Sequence, residues 1–257
     1  MNTEERYPSY DLAGTKITPT TSDDLNAILK EHIDEDRQCI IASQNMHGLH
    51  VRLRDPSFAS LHQLPQAYVH IDGMPLVLLC RLAGIQASRA HRVTLVDWIW
   101  PLLAYAARED WRVYYVGSTD PILANAAQVI DNRIPGLRLR MHNGYFDSSE
   151  GSVENAAVVA DIQAFRPHLL LVGMGMGRQE RWILNNLSSI TPACICTVGA
   201  CMEYVGGAVR TPPRWMGRLG LEWLFRLAEN PSRFWFRYLV EPWPVLFHFA
   251  RNAYRRA

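Results

Sequence analysis

The chain has 257 residues, 48% of them hydrophobic and 20% charged, with a formal net charge of +1. This is an ordinary globular composition, long enough for one large domain or for a core with an appendage. No run approaches the roughly 20 apolar residues of a spanning helix. The five cysteines, odd in number and with no signal peptide ahead of Tyr7, exclude a secreted disulfide framework and point to a reduced cytosolic protein.

Residues Met1 to Thr20 show no strong period. A helix is expected to start at Thr21 or Ser22, whose hydroxyls can cap it while Asp23 and Asp24 favour its positive end. From there short apolar runs alternate with helical segments. Strands are expected at Gln38–Ala42, Ala67–Ile71, Arg112–Val116, Leu137–His142, His168–Val172 and Ala193–Val198. Helices are expected at Met74–Ala83, Val96–Ala107, Pro121–Asn132, Val153–Phe165 and Gln179–Leu187. This alternation predicts an α/β fold, a Rossmann-like, mostly parallel sheet with helices on both faces and sites in the loops after the strands. The Cys194-x-Cys196 pair is read as two structural thiols on opposite faces of the last strand, not as a metal pair.

Near Pro212 the character changes to arginine and aromatic residues punctuated by prolines, which sets a boundary between a core, residues 1–212, and an appendage, residues 213–257. From Val209 onward nine arginines face three glutamates, a net of +6 that leaves −5 on the remainder. A basic tail on an acidic body suits an anionic partner: membrane headgroups, a diphosphate or nucleic acid. Leu221–Leu227 and Arg233–Leu239 interleave aromatic and cationic residues. They read either as interface-binding segments or as helices packed on the core with snorkelling arginines.

Two glycine loops carry chemical content. Gly173-Met-Gly175-Met-Gly177 joins a strand to a helix beginning near Gln179 and Glu180, which would present backbone N–H groups to phosphate oxygens. Its spacing fits a dehydrogenase fingerprint poorly, and no Walker pattern is present. Gly199–Gly207 follows the next strand and contains Glu203. Asp72-Gly73 ends a strand, where a carboxylate can act as general base or simply belong to a turn. Asp34-Glu35-Asp36 has a D-x-D form but reads as solvated surface, so no metal is assigned.

Taken in register, Gly173–Glu180, Val198–Gly207 and Arg210–Tyr238 resemble the WecG/TagA/CpsF glycosyltransferases, glycosyltransferase family 26. Ser43-Gln44-Asn45, Ile71-Asp72-Gly73, Arg92-Val93-Thr94, Val116-Gly117-Ser118 and Gly144-Tyr145-Phe146 support the match. The resemblance implies an inverting, metal-independent transfer, with no cofactor, from a UDP-sugar to a sugar on a polyprenyl diphosphate during cell-surface polysaccharide assembly. It implies Asp72 as base; Ser43, Asn45 and Arg92 on the acceptor side; Gly117, Gly173, Gly175, Gln179, Glu180 and Glu203 toward the nucleotide sugar; and Arg226, Arg233 and Arg237 closing over diphosphate. It also implies a peripheral place on the cytoplasmic face of the bacterial inner membrane, with no nucleic-acid partner, and leaves homo-oligomerisation open.

Ser43 stands where the family has threonine, Gly177-Arg178 where it has Pro-Lys, and Leu95 where it has glycine. The wording around Arg178 and Thr211–Trp215 leans toward the xanthan-type glucosyltransferases, making glucose the expected sugar and N-acetylmannosamine or its uronate the alternative. Two rival readings remain, a nucleotide-binding oxidoreductase and a non-catalytic membrane or nucleic-acid adaptor.

Overall fold

The computed structural model describes residues 3–190 and 194–256. A six-stranded sheet, every pairing parallel, forms its centre: β3 (Ile40–Gln44), β4 (Ala67–Ile71), β5 (Arg112–Gly117), β6 (Arg138–His142), β7 (Leu169–Gly173) and β8 (Cys194–Thr197), in the order β4-β3-β8-β7-β5-β6. Strands β3, β4, β7 and β8 are buried along their whole length, as a sheet covered on both faces requires. Ala193, the expected first residue of the last strand, lies outside the described residues, as do Met1 and Asn2.

One face is covered by α2 (Ser22–Asp34), α6 (Leu95–Arg108), α7 (Asp120–Arg133) and the short α10 (Cys201–Val205), through Leu25, Trp98, Leu123 and Met202 among others. The other carries α3 (Met46–Arg52), α4 (Pro56–Gln63), α5 (Met74–Leu82), α8 (Val153–Phe165) and α9 (Arg178–Asn186). Thr21 is the cap of α2. Its hydroxyl accepts from the Asp24 N–H while the Asp24 carboxylate accepts from the Thr21 N–H, a reciprocal capping box.

Three features depart from the sequence reading. A short helix α1 (Thr3–Arg6) and a β-hairpin, β1 (Tyr10–Leu12) with β2 (Thr15–Ile17), occupy the segment expected to be aperiodic. The hairpin's turn uses Ala13 and Gly14 at positive φ, and the Thr18 N–H then bonds the Val69 carbonyl, so the edge strand β4 is covered. Helices α3 and α4 were not expected; with seven and eight residues they are too short for a helical period to stand out. Cys194 and Cys196 lie on the same face, as i and i+2 of a strand must, and both join the cluster that holds Cys39. All three thiols are free and buried, and burial pushes those of Cys39 and Cys196 well up, so they are inert packing groups.

Beyond the sheet follow α11 (Arg214–Leu219), α12 (Glu222–Glu229), α13 (Pro231–Leu239) and α14 (Pro242–Arg256). Helix α14 packs on α3 and sinks Val245 into the second core cluster, whereas α12 and α13 pack mainly on each other and bury no residue fully. Among the described residues no helix is long and apolar enough to cross a membrane.

Candidate active site

Strands β3 and β4 pair with Gln44 opposite Ile71, so Asn45 and Asp72 emerge side by side at the carboxyl edge of the sheet. Asn45 caps α3, and its side-chain oxygen accepts from the Gly48 N–H at 2.9 Å. That fixes the amide's orientation and points its nitrogen at Asp72, where it donates to Oδ2 at 3.0 Å. Asp72 is further held by its own N–H on the Gln44 carbonyl at 2.8 Å.

Arg92 arrives on the far side of Asp72 because residue 92 forms an isolated parallel bridge to Ile71 and the Val93 N–H bonds the Ile71 carbonyl. Its guanidinium spans two carboxylates, Asp97 and Glu222, each at 3.2 Å. The second of these ties α12 to the core. A link of this kind has no local sequence signature, since the partners are 130 residues apart.

These groups open on a cavity of about 470 Å³. Asn45, Asp72 and Arg92 line its core side, and Arg226, Arg237 and Tyr238 its C-terminal side. The Nε atoms of Arg226 and Arg237 are buried without a hydrogen-bond partner. Burial works against the charge on Arg226, but the fields of Tyr204, Tyr238 and Asp72 outweigh it and raise its pKa; the guanidinium also lies 5.5 Å from the Tyr204 ring centre. For Arg237 burial wins, helped by the neighbouring Arg226 charge, and its pKa is lowered. Arginine keeps its proton even so, and two partly desolvated cations thus share one cavity with Asp72 and with the paired Arg92 and Glu222.

Arg233, expected with them, is exposed, lies over Phe234 and does not line the cavity. Ser43 is buried within β3, where its N–H bonds the Thr197 hydroxyl at 3.1 Å, and it stays below the cavity floor. His47, which sequence reasoning missed, does line the cavity and pairs through Nδ1 with Glu241 Oε2 at 2.6 Å, joining α3 to the start of α14. Burial, then the Arg237 charge, lowers the His47 pKa.

A second group of expected residues gathers two strands away, about 10 Å along the sheet. After β5 the chain moves to one side of the sheet and after β7 to the other, so the loops at Gly117 and Gly173 flank a point of strand-order reversal. A side chain at Gly173 would overlap the Tyr115 hydroxyl and the Gly199 carbonyl, so packing alone demands glycine there. Gly175 differs: φ is +86° and the space above it is open.

The start of α9 is not the open phosphate cradle that the sequence suggested. The Gly177 N–H donates to Glu180 Oε2 at 2.6 Å, and the Gln179 N–H to the Gly175 carbonyl. The Gln179 side chain spans Glu180 and the Gly199 N–H and so joins the loops after β7 and β8. Burial is the main cause that raises the Glu180 pKa to about 7. Unspent polar groups lie beside this strap instead: Tyr115 Oη, Ser118 Oγ and Glu203 Oε2 are buried without partners. Asp34-Glu35-Asp36, at the end of α2 and ahead of β3, belongs to the opposite edge of the sheet, where Lys30 and Arg37 pair with Asp34 and Glu35.

An acid-bearing strand end under an arginine-lined cover, beside a second group of unpartnered polar atoms on the same sheet edge, has the layout of a two-substrate enzyme. The chain matches the model of the Glycosyl transferase WecG/TagA/CpsF family over residues 10–257, and it belongs to that family. It is a glycosyltransferase. It is 25% identical over 206 residues, 77% of this chain and 79% of the relative, to the N-acetylglucosaminyldiphosphoundecaprenol N-acetyl-beta-D-mannosaminyltransferase of Staphylococcus aureus strain MW2. Proteins of the same name from strains NCTC 8325 / PS 47 and MRSA252 match at the same identity and coverage.

Proposed function

We propose that this chain transfers N-acetylmannosamine, or its uronate, from a UDP-sugar to N-acetylglucosamine carried on a polyprenyl diphosphate, with inversion at the anomeric carbon. The names of the relatives move the donor from the glucose favoured by the sequence wording to the N-acetylmannosaminyl alternative. The observation that carries the reading is Asp72, oriented by Asn45 in a cavity closed by two half-buried arginines whose Nε atoms are buried and lack partners.

In this scheme Asp72 accepts the proton of the acceptor hydroxyl as its oxygen attacks the anomeric carbon. The bond to the UDP oxygen breaks and UDP leaves with the bonding pair. Arg226 and Arg237 hold the acceptor's diphosphate, and Arg92 borders the acceptor sugar. The donor lies over Gly175, with the open hydrogen-bonding capacity of Tyr115, Ser118 and Glu203 available to its polar groups. Gln179, Glu180, Gly117 and Gly173 shape that recess. On the acceptor side Ser43 supports the strand end that carries Asn45, and Arg233 acts at the rim of the diphosphate cover.

Residues 213–257 are proposed as an appendage that meets the membrane, because Trp215, Trp235, Trp243 and Phe247 stand exposed among its arginines. The reading puts the enzyme on the cytoplasmic face of the inner membrane. Transfer from a panel of UDP-sugars to a synthetic N-acetylglucosaminyl diphosphate lipid tests it. Product from UDP-N-acetylmannosamine, reduced about 10²- to 10⁴-fold in Asp72→Asn, is expected. Full activity in that variant would remove Asp72 as base, and product only from UDP-glucose would restore the glucose reading.

A further inference from the structure

Two helices also give this cavity hydrocarbon walls, so that part of its lining is an apolar groove. Leu78 and Leu82, one turn apart on α5, form one wall, and Pro242 and Leu246, one turn apart on α14, the other. These leucines are not spent on packing: Leu78 is 53% exposed, Leu82 84% and Leu246 41%. Apolar side chains and two guanidinium groups line the same space, so the site is complementary to an amphiphile, an anion with a hydrocarbon attached. A diphosphate alone would leave the leucine walls wet. A membrane plane alone would need no groove that ends on Arg226 and Arg237.

We infer that this groove binds the first isoprene units of the acceptor lipid, so that the protein, not the bilayer, holds the hydrocarbon adjoining the diphosphate. The inference rests on the reading of the chain as a transferase to a lipid diphosphate. It adds that recognition extends past the phosphates into the chain, and that Leu78, Leu82 and Leu246 set it. A lipid held in such a groove, with its diphosphate on Arg226 and Arg237, presents the sugar beyond the diphosphate to Asp72.

The test is calorimetric titration of the full chain, in buffer free of vesicles and detergent, with isopentenyl, geranyl and farnesyl diphosphate. Affinity is expected to rise at least about tenfold from the five-carbon to the ten-carbon ligand, since each buried methylene contributes measurably. In the double variant Leu82→Ser with Leu246→Ser that ratio is expected to fall close to one. Both residues are at the surface, and circular dichroism checks that the fold persists.

Equal affinity for all three ligands overturns the groove and assigns the hydrocarbon to the bilayer, while leaving the diphosphate reading intact. A concentration-dependent dimer that Leu246→Ser dissolves and geranyl diphosphate does not disturb overturns it too, by making a second copy the occupant. Binding of none of the three, together with no transfer to any lipid acceptor, defeats the underlying transferase reading, a pattern distinct from equal binding.

Discussion

The amide of Asn45 is committed at both ends, its oxygen to the Gly48 N–H and its nitrogen to Asp72. Asn45→Ala is therefore expected to cost about 1 kcal/mol of stability through the lost helix cap, seen in urea unfolding. It is also expected to lower kcat by about tenfold as Asp72 loses its orientation, seen in initial rates. His62 offers a prediction of another kind. It is buried against Phe58 with neither ring nitrogen partnered among the described residues, and burial lowers its pKa to about 3. The folded state holds it neutral while the unfolded chain protonates near pH 6.5. Its stabilising contribution is present above that value and is lost as pH falls toward 3, at up to about 1.4 kcal/mol per pH unit. His62→Leu should remove that part of the slope, so that its urea midpoint falls less than the native one between pH 7 and pH 5; equal falls would refute it. At this scale Asp72 and Asn45 were legible because both stand next to strand ends and turn chemistry. The His47–Glu241 pair was not, because 194 residues of chain separate partners that only the docking of α14 brings together.

Helices α12 and α13 bury no residue fully, and among the contacts that hold them over the sheet edge are Arg92 with Glu222, Arg226 over Tyr204 and Phe236 edge-on to His50. Arg226→Ala is expected to raise the acceptor KM about tenfold with the donor KM unchanged. Arg226→Lys should recover little, since an ammonium lacks the planar fork and stacks less well on the Tyr204 ring. Equal rises in both KM values would place Arg226 on the wrong substrate. Most of the elements that build the sheet were readable in order, because fully buried strands such as Leu169–Gly173 stand out as apolar runs between amphipathic helices. The hairpin β1–β2 was hidden by strands of three residues each. At α9 the glycines were visible but their purpose was not. Gly173 answers to Tyr115 and the Gly199 backbone, and Glu180 caps a helix start that looked free for phosphate.

For the molecule as a whole, the sequence divides charge unevenly, +6 from Val209 onward against −5 elsewhere. The structure adds that Trp243 and Phe247 of α14 are about 70% exposed while Val245 between them is buried in the core. Deleting the tail would therefore uncover the core as well as remove the aromatics. Trp243→Ser with Phe247→Ser is the cleaner test: sedimentation with anionic vesicles should drop several-fold, and the native protein should release as salt shortens the roughly 10 Å screening length. Unchanged sedimentation would move the membrane contact elsewhere. The division of the cavity between early and late parts of the chain also matters during synthesis. All six strands of the sheet precede Arg226 and Arg237 in the chain, the last of them ending at Thr197. At about 5–20 residues per second a ribosome makes Asp72 several seconds or more before the arginines that cover it. On the proposed reading, activity and membrane affinity then arrive together with the segment that follows the sheet, and a chain stalled before Arg226 has made its base but can neither hold the diphosphate nor transfer.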